Sequence, residues 1–135
     1  MKSKIILAAI VALTISTGAS AQKISAAKVP VVVKESFAKA YPKATKTHWD
    51  KENKDYEASF KQDNETMSVL MDSKGQILEV EKGIKTTDFP AAVQAVLKGK
   101  KVKEAAVITK GGKTFYEAEV GGKDLLFDAD GKAVQ

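Results

Sequence analysis

The order of apolar and polar residues along the chain predicts two helices, each followed by a set of strands. Two stripes of apolar residues recur every three or four positions, as on one face of a helix. Their members are Val29, Val33, Phe37 and Tyr41 in the first stripe and Phe89, Val93, Val96 and Leu97 in the second. After each stripe, apolar and polar residues alternate one by one, which is typical of strands.

The predicted strands are short and are separated by turn sequences. They cover about residues 45–51, 55–62, 65–72 and 76–81, and then 101–110, 113–121, 123–128 and 132–135. Pro42 ends the first helix and the second ends near Gly99. Asp-Asn, Gly-Gly and Asp-x-x-Gly turns connect the strands, and such short turns join antiparallel neighbours.

The chain repeats one pattern twice. An apolar residue followed by proline occurs at 29–30 and 89–90, Tyr-Glu-Ala at 56–58 and 116–118, and Asp-x-x-Gly at 72–75 and 128–131. We therefore predict an α+β fold with two tandem helix-plus-antiparallel-meander repeats (αβ4 twice), with the helices packed on one face of a shared antiparallel sheet. The predicted organisation is a signal peptide at 1–21, an N-terminal extension at 22–28, and repeats at 29–82 and 83–135 within one compact domain.

The N-terminal segment is typical of a secretory signal peptide. Lys2 and Lys4 precede an apolar run that is too short to span a bilayer, and Ala19-Ser20-Ala21 is a small-x-small cleavage site. We expect cleavage after Ala21 and a periplasmic or secreted protein without a membrane span. The chain has no cysteine, which excludes both a lipoprotein anchor and a disulfide framework.

Composition disfavours nucleic acid as a partner. The net charge is +5, and without Lys2 and Lys4 the chain has 20 basic and 17 acidic residues, a net charge of +3. Every basic residue is lysine, whereas arginine is suited to bidentate recognition of phosphates and guanine edges. The lysines are therefore interpreted as a solvated surface.

Alternation assigns two faces to the strands. The helix-facing residues are predicted to be Trp49, Tyr56, Ala58, Phe60, Val69 and Met71, aligned with Val107, Tyr116, Ala118, Val120, Leu125 and Phe127. The opposite face is expected to be free and partly apolar, which fits a docking surface. Its candidate partner-binding residues are Phe115, Leu126, Leu70, Glu57, Glu117, Glu119 and His48. The alternative is that these apolar residues are ordinary scattered surface groups.

Catalytic, cofactor and metal sites are not predicted. His48 is the only histidine and lies on an outward strand position, and the paired carboxylates on an exposed sheet face are expected to lack the desolvation that acid catalysis requires. Asp128-Ala129-Asp130-Gly131 resembles the start of a calcium loop but lacks the later ligands. We interpret it, and the equivalent turn at 72–75, as hairpin turns.

The ordered, duplicated motifs resemble the beta-lactamase-inhibitor-like, PepSY-like family of secreted bacterial proteins. The resemblance extends over the chain from about Val29. It implies tandem repeats of a helix and antiparallel strands, export, and a non-catalytic role. In that family, beta-lactamase inhibitor protein grips an enzyme with its sheet face and hairpin loops, and PepSY-type domains are associated with the restraint of peptidases. This chain lacks disulfides and long probe loops, so beta-lactamase inhibition is not expected.

Three function classes follow, in decreasing order of support. The first is an exported, non-catalytic protein-binding module, an inhibitor or modulator of an envelope protein or peptidase, that uses the free sheet face. The second is a periplasmic binder of a small ligand or peptide in a groove between the repeats. The third is an enzyme of unrecognised type. The expected partner in the first class is another envelope or secreted protein.

Overall fold

The computed structural model describes residues 21–134. The first repeat contains β1 (Gln22–Ile24), α1 (Val31–Ala40), β2 (Thr45–Glu52), β3 (Asp55–Gln62), β4 (Glu65–Met71) and β5 (Ile77–Gly83). The second contains α2 (Ala91–Leu97), β6 (Val102–Lys110), β7 (Lys113–Val120) and β8 (Lys123–Phe127). Short 3-10 turns at Ala26–Lys28 and Thr86–Asp88 precede the two helices. The chain divides into compact units between Lys82 and Gly83.

Both helices bury the faces that carry the predicted apolar stripes. Each begins directly after a proline, whose fixed φ suits a helix start. The buried residues of the helices are Val33 and Phe37 in α1 and Val93 and Leu97 in α2. The prediction is wrong only for Val96, whose side chain is 45% exposed. In the second repeat the buried residues are spaced by four, at Phe89, Val93 and Leu97. Val96 does not fit this spacing and lies outside the buried face of α2.

In the first repeat, consecutive strands pair antiparallel in the order β1-β2-β3-β4-β5. Strand β1 was not predicted, because residues 22–28 were interpreted as an extension. Its three residues pair with β2, with Lys23 opposite Asp50 and Ile24 opposite Trp49. A strand of three residues is too short to show alternation, so the sequence gives little sign of it.

In the second repeat, β6, β7 and β8 pair antiparallel in sequence order. The prediction of a fourth strand at 132–135 is wrong. Within the described residues, this segment forms only one bridge, between Phe127 and Ala133. The amide of Val134 also donates a hydrogen bond to the carbonyl of Leu126, at 2.8 Å. Gln135 lies outside the described residues. The predicted α+β fold of two helix-plus-antiparallel-meander repeats is otherwise confirmed.

Each helix packs on one face of the strands of its own repeat. The first core consists of Val29, Val33, Phe37, Trp49, Tyr56, Ala58, Phe60, Val69 and Met71. The second consists of Phe89, Val93, Leu97, Ala105, Ala118 and Phe127, with Tyr116, Val120 and Leu125 partly buried against it. The predicted helix-facing residues belong to these cores apart from Val107, which lies opposite Tyr116 on the same side of the strands but is not among the core residues.

The alignment of Trp49 with Val107 is wrong by two residues along the strand. Trp49 lies opposite Ala58, and the residue opposite the equivalent Ala118 is Ala105. The error arises because the hairpin between β6 and β7 extends further past the tyrosine pair than the hairpin between β2 and β3. Ala105, a much smaller residue, therefore takes the place of the tryptophan in the second core.

The two Asp-x-x-Gly segments are turns that rest on the helices. Oδ1 of Asp72 accepts hydrogen bonds from the amides of Lys74 and Gln76, both at 2.9 Å. Asp128 Oδ1 accepts the equivalent pair, from the amides of residues 130 and 132, at 2.9 and 3.0 Å. Each aspartate thus orders its own turn, as the hairpin interpretation predicts. The glycine that ends each turn has positive φ and lies against the preceding helix.

Candidate protein-binding face

In both repeats, the strand face opposite the helix carries many carboxylates. We call it the carboxylate face. In the second repeat its cross-strand rows are Glu104–Glu119–Asp124, Ala106–Glu117–Leu126, Ile108–Phe115 and Lys110–Lys113. Because residues directly opposite each other on paired strands point to the same side, each row is a line of neighbouring side chains. An acidic row is thus followed by a mixed row, an apolar row and, next to the hairpin, a pair of lysines.

The carboxylate face of the first repeat has the same central motif with different neighbours. Its rows are Thr45–Lys61–Thr66, His48–Ser59–Ser68–Glu81, Lys23–Asp50–Glu57–Leu70–Glu79 and Glu52–Asp55. In each repeat the central strand places a glutamate directly opposite a leucine, Glu57 with Leu70 and Glu117 with Leu126. The Tyr-Glu-Ala motif fixes this position, since its tyrosine and alanine point to the helix and its glutamate therefore points away.

The carboxylate face is not free, contrary to the prediction. In the full-length chain the exposed fraction is 2% for Glu57, 1% for Glu117 and 3% for Glu119. Leu126 is 8% exposed, whereas Leu70 and Phe115 are intermediate and His48 is exposed. The glutamates lie on β3 and β7, each of which is paired with a strand on both sides. Alternation alone reports which way a side chain points and does not report its exposure.

Burial changes the ionisation of the central glutamates. It raises the pKa of Glu57 to about 9, and the nearby carboxylates of Glu52, Asp50 and Glu79 raise it further in that order of effect. The pKa of Glu117 rises to about 8 for the same reason, with added repulsion from Asp124, Glu104 and Glu119. Desolvation penalises the charged form and like charges add to that penalty. The expectation that this face could not raise a carboxyl pKa is therefore wrong.

The flanking carboxyls are shifted in the same direction. Burial raises the pKa of Glu52 to about 7, with Glu79 as the next cause. The pKa of Asp124 rises to about 6 through burial and then through the charge of Glu119. The shifted groups thus follow the rows of each face, which shows that they share a desolvated, acidic environment.

Several of the buried carboxylate oxygens have no hydrogen-bond partner among the described residues. They include Oε1 of Glu57 and both oxygens of Glu117. A buried polar group that lacks a hydrogen bond is unfavourable, typically by about 1–3 kcal/mol. Glu117 is the extreme case, because neither of its oxygens has a partner among the described residues, whereas for Glu57 this holds only for Oε1.

An apolar cluster adjoins Glu117 on the same face. Ile108 and Leu126 are buried together, with Phe115 and Val134 packed against them. Ile108 lies opposite Phe115, and Leu126 lies opposite Glu117. The second carboxylate face therefore combines aliphatic and aromatic surface with carboxylates within adjacent rows.

All seven residues predicted for the partner-binding face lie on the carboxylate face of their repeat. Phe115, Glu117, Glu119 and Leu126 come together in the second repeat. In the first, Glu57 and Leu70 are direct neighbours, whereas His48 lies in the adjacent row. Sequence reasoning missed six carboxylates on these faces: Glu52, Asp55, Glu79, Glu81, Glu104 and Asp124. The alternation of glutamate with apolar residues at 77–81 could have revealed Glu79 and Glu81.

Other kinds of site are sparse in the described part of the chain. Within residues 21–134, no three acidic or histidine side chains are grouped so that they could hold a metal ion. A small groove in the second repeat is lined by Thr86, Phe89, Gln94 and Lys100 among others. Gln94 Nε2 donates hydrogen bonds to the carbonyls of Phe89, at 2.8 Å, and Thr87, at 3.3 Å, so its amide holds the 3-10 turn against α2. None of the helices described is long and apolar enough to cross a membrane.

The fold and the duplicated motifs identify the class of protein. The model of the beta-lactamase-inhibitor-like, PepSY-like family matches residues 15–79 and again 65–135. The two matches together span most of the chain and correspond to its two repeats. The chain belongs to this family, as the resemblance of its motifs predicted. A comparison with curated proteins found no match.

Solved structures show the same fold at low sequence identity. A Bacteroides eggerthii protein described as periplasmic is 18% identical and aligns over 79% of this chain and 86% of its own, with a TM-score of 0.73. A DUF2874 family protein of Bacteroides uniformis is 20% identical over 78% and 86%, with a TM-score of 0.71. A BLIP-like protein of Bacteroides fragilis is 20% identical over 78% and 84%, with a TM-score of 0.66.

Proposed function

We propose that this protein is an exported, non-catalytic module that binds another envelope or secreted protein through its carboxylate face and so modulates or inhibits that partner. The observation that carries the proposal is Glu117, a buried glutamate with two unsatisfied oxygens beside the apolar cluster of Ile108, Leu126, Phe115 and Val134. This combination is unfavourable for the isolated protein and becomes favourable when a partner satisfies the carboxylate and covers the apolar groups.

A balance between stability and function supports this interpretation. An apolar side chain of similar volume at position 117 would avoid the desolvation of a carboxylate, and such replacements are often neutral or stabilising. Groups that reduce stability occur preferentially at functional sites. The same glutamate occurs at the same place in both repeats, as Glu57 and Glu117, on the side of the sheet that does not contact the helix.

Export is supported by the N-terminal sequence and by the family. Lys2 and Lys4, the apolar run and Ala19-Ser20-Ala21 have the order of a secretory signal. One structural neighbour is described as periplasmic. We propose cleavage after Ala21 and a periplasmic or secreted location. Mass spectrometry of the protein recovered from the envelope of its host would show a chain that begins at Gln22.

Site-specific photocrosslinking in the native host tests the binding function. A photoreactive phenylalanine analogue is placed at Phe115, on the carboxylate face, and in a matched control at Val31, on the exposed side of α1. We expect the probe at position 115 to crosslink one exported protein, and the probe at position 31 to leave that protein unlabelled. Circular dichroism of both variants checks that they fold.

The result has clear alternatives. Equal labelling from both positions would indicate nonspecific proximity and would contradict binding through the carboxylate face. The absence of any crosslinked protein from position 115, with the variant folded and exported, would contradict the proposed module itself. Loss of the crosslink when Leu70 or Leu126 is changed to serine in a folded variant would assign the contact to one repeat.

A further inference from the structure

A groove on the helix side of the second repeat has the composition of a site for a small anion. Its volume is about 270 Å³. Its polar lining residues include Thr86, Thr87 and Lys100, and its apolar ones are Phe89, Leu97 and Val102. Lys100 is the only charged residue among the described residues that line it. Because Phe89 and Leu97 belong to the core under α2, the groove lies away from the carboxylate face.

The chain that forms this groove is basic. Residues 89–103 contain no aspartate or glutamate, but they contain four lysines, all exposed: Lys98, Lys100, Lys101 and Lys103. Within residues 21–134, none of the four is part of a salt bridge. The neighbouring carboxylate of Asp88 is engaged elsewhere, since its Oδ2 accepts a hydrogen bond from the amide of Lys85, at 3.0 Å. Such a cluster of like charges creates a local positive potential that attracts anions.

We propose that this groove binds a small organic phosphate, with its phosphate at the ammonium of Lys100 and its organic part against the apolar lining residues. The site is separate from the carboxylate face, so the inference goes beyond the proposed function. Lysine binds phosphate as a point charge. The three terminal oxygens of a phosphate monoester can accept hydrogen bonds from one ammonium and two threonine hydroxyls, whereas a carboxylate has only two oxygens.

The polar groups of the groove divide into those that hold its shape and those that remain available. Gln94 belongs to the first kind, because Nε2 donates to the carbonyls of Phe89 and Thr87 and so ties the 3-10 turn to α2. The hydroxyls of Thr86 and Thr87 belong to the second, since neither forms a hydrogen bond with another residue of the described chain. A fixed wall with a few available polar groups is typical of a preformed ligand site.

The size of the groove limits the ligand. Its volume of about 270 Å³ lies just below the range of about 300–1,000 Å³ that is usual for pockets of drug-sized molecules. A nucleotide would extend out of the groove, whereas a phosphate with a short aliphatic chain is small enough to enter it. The apolar residues favour such a compound over inorganic phosphate, because they gain from covering aliphatic surface.

The direct test is heteronuclear NMR of the isotope-labelled protein isolated from its host. The probe is n-butyl phosphate, and the controls are inorganic phosphate and n-butanol. We expect butyl phosphate to shift the amide signals of Thr86, Thr87 and Lys100 saturably, with a Kd of about 1 mM. Each control should bind at least about fivefold more weakly, because it lacks either the organic part or the charge.

Matched lysine substitutions distinguish the groove from a diffuse positive field. Lys100→Gln removes the charge in the groove, Lys101→Gln removes one beside it, and Lys39→Gln removes one from the last turn of α1. We expect binding to weaken about tenfold in the first variant, about twofold in the second and not at all in the third. Combining Thr86→Val with Thr87→Val should weaken binding several-fold, because two hydroxyl donors are lost at nearly constant shape. Circular dichroism checks that each variant folds.

Several outcomes would overturn the inference. They are the absence of a saturable shift at about ten times the expected Kd, equal binding of inorganic phosphate, and equal weakening by Lys39→Gln. Co-sedimentation with vesicles of phosphatidic acid but not of phosphatidylcholine, without a response to butyl phosphate, would assign the site to a lipid head group instead. Crosslinking from Phe115 should be unchanged in Lys100→Gln, so failure of the groove and failure of the proposed binding module can be told apart.

Discussion

The two repeats have the same backbone plan but differ in how they distribute apolar groups between their faces. In the first, the ring of Phe37 on the helix makes edge contacts with the rings of Trp49 and Phe60 on the strands. The distances between ring centroids are 5.3 Å to Trp49 and 5.0 Å to Phe60. In the second, the equivalent of Trp49 is Ala105, and the aromatic contact is a more distant one, between Phe89 and Tyr116 at 6.3 Å.

The opposite faces show the reverse difference. The row that contains Glu52 and Asp55 in the first repeat contains Ile108 and Phe115 in the second. The first repeat thus concentrates its large apolar groups under the helix, whereas the second places part of them on the carboxylate face. The duplicated fold fixes the central glutamate in both copies and leaves the surrounding rows to differ. We infer that the first repeat contributes more to stability and the second more to recognition.

The largest expected effect tests the aromatic core of the first repeat. Trp49→Ala gives this repeat the residue type that the second has at position 105. Because Trp49 is 7% exposed and packs against Phe37, its truncation should lower the free energy of unfolding by about 3–5 kcal/mol. Urea unfolding followed by circular dichroism measures the loss, with Ala105→Gly as the counterpart in the second repeat. A loss below about 1 kcal/mol would contradict the greater role of the first core.

An intermediate effect tests the turns that rest on the helices. Gly131 has a φ of +81°, and a Cβ there would lie 2.8 Å from the carbonyl oxygen of Ala92. Gly75 has a φ of +84°, and its Cβ would lie 3.0 Å from Val32 O and from Ser36 Cβ. We expect Gly131→Ala to destabilise the protein by about 2–4 kcal/mol and Gly75→Ala by somewhat less.

Gly122→Ala provides the control for these turns. Its φ is +77°, but no atom lies within 4 Å of the added Cβ. It should therefore show only the cost of the left-handed conformation, about 1 kcal/mol. Thermal unfolding of the three variants under one condition gives the order. If Gly122→Ala is as harmful as Gly131→Ala, contact with the helix is not the reason that glycine is needed at position 131.

The smallest expected effect concerns the pH dependence of stability. An unfolded glutamate loses its proton near pH 4.5, whereas the folded-state pKa is about 9 for Glu57 and about 8 for Glu117. Above pH 4.5 the unfolded state therefore binds fewer protons than the folded state at these two groups, and the free energy of unfolding falls as pH rises. The fall should continue to about pH 8 for Glu117 and about pH 9 for Glu57.

Neutral variants separate the two repeats in this pH dependence. Glu57→Gln and Glu117→Gln should each flatten the decline and stabilise the protein at pH 8 by about 1–3 kcal/mol, with the larger change at position 57. Urea titrations at pH 5, 7 and 9 measure the free energy of unfolding of each variant, and Glu35→Gln is the control on the surface. Wild-type stability that rises between pH 5 and 9 and is unaffected by either substitution would show that both glutamates ionise normally in the folded protein.

Much of the fold follows from sequence because the helix-facing residues have a clear periodicity. Val29, Val33 and Phe37 mark one helix face, and Phe89, Val93 and Leu97 mark the other. Because the pattern is duplicated, the strands of one repeat could be compared with those of the other. The predicted strand at 55–62 agrees with β3 at both ends. Strand β1 and the reduced fourth strand of the second repeat escaped prediction because short edge pairing depends on neighbours that periodicity does not report.

The sequence predicts to which side of the sheet the side chains of the candidate site point, but not how deeply they are buried. Alternation placed Glu57, Glu117 and Leu126 on the side away from the helices. It could not show that the glutamates are buried, because alternation gives the direction of a side chain and carries no information on its exposure. The charge of a glutamate also points to a solvated position, because glutamate is ordinarily an exposed residue. The raised pKa of Glu57 and Glu117 is a property of the assembled rows.

The turn that ends in Gly75 has a consequence for the order in which the first repeat acquires its structure. Ser36 Oγ donates a hydrogen bond of 2.6 Å to the carbonyl of Gly75, across 39 residues of chain. The helix comes early in the repeat but is secured by a turn that is synthesised much later. Contacts of such long sequence separation form slowly, because the intervening loop must first close. A chain built in this way stays open until nearly the whole repeat is available.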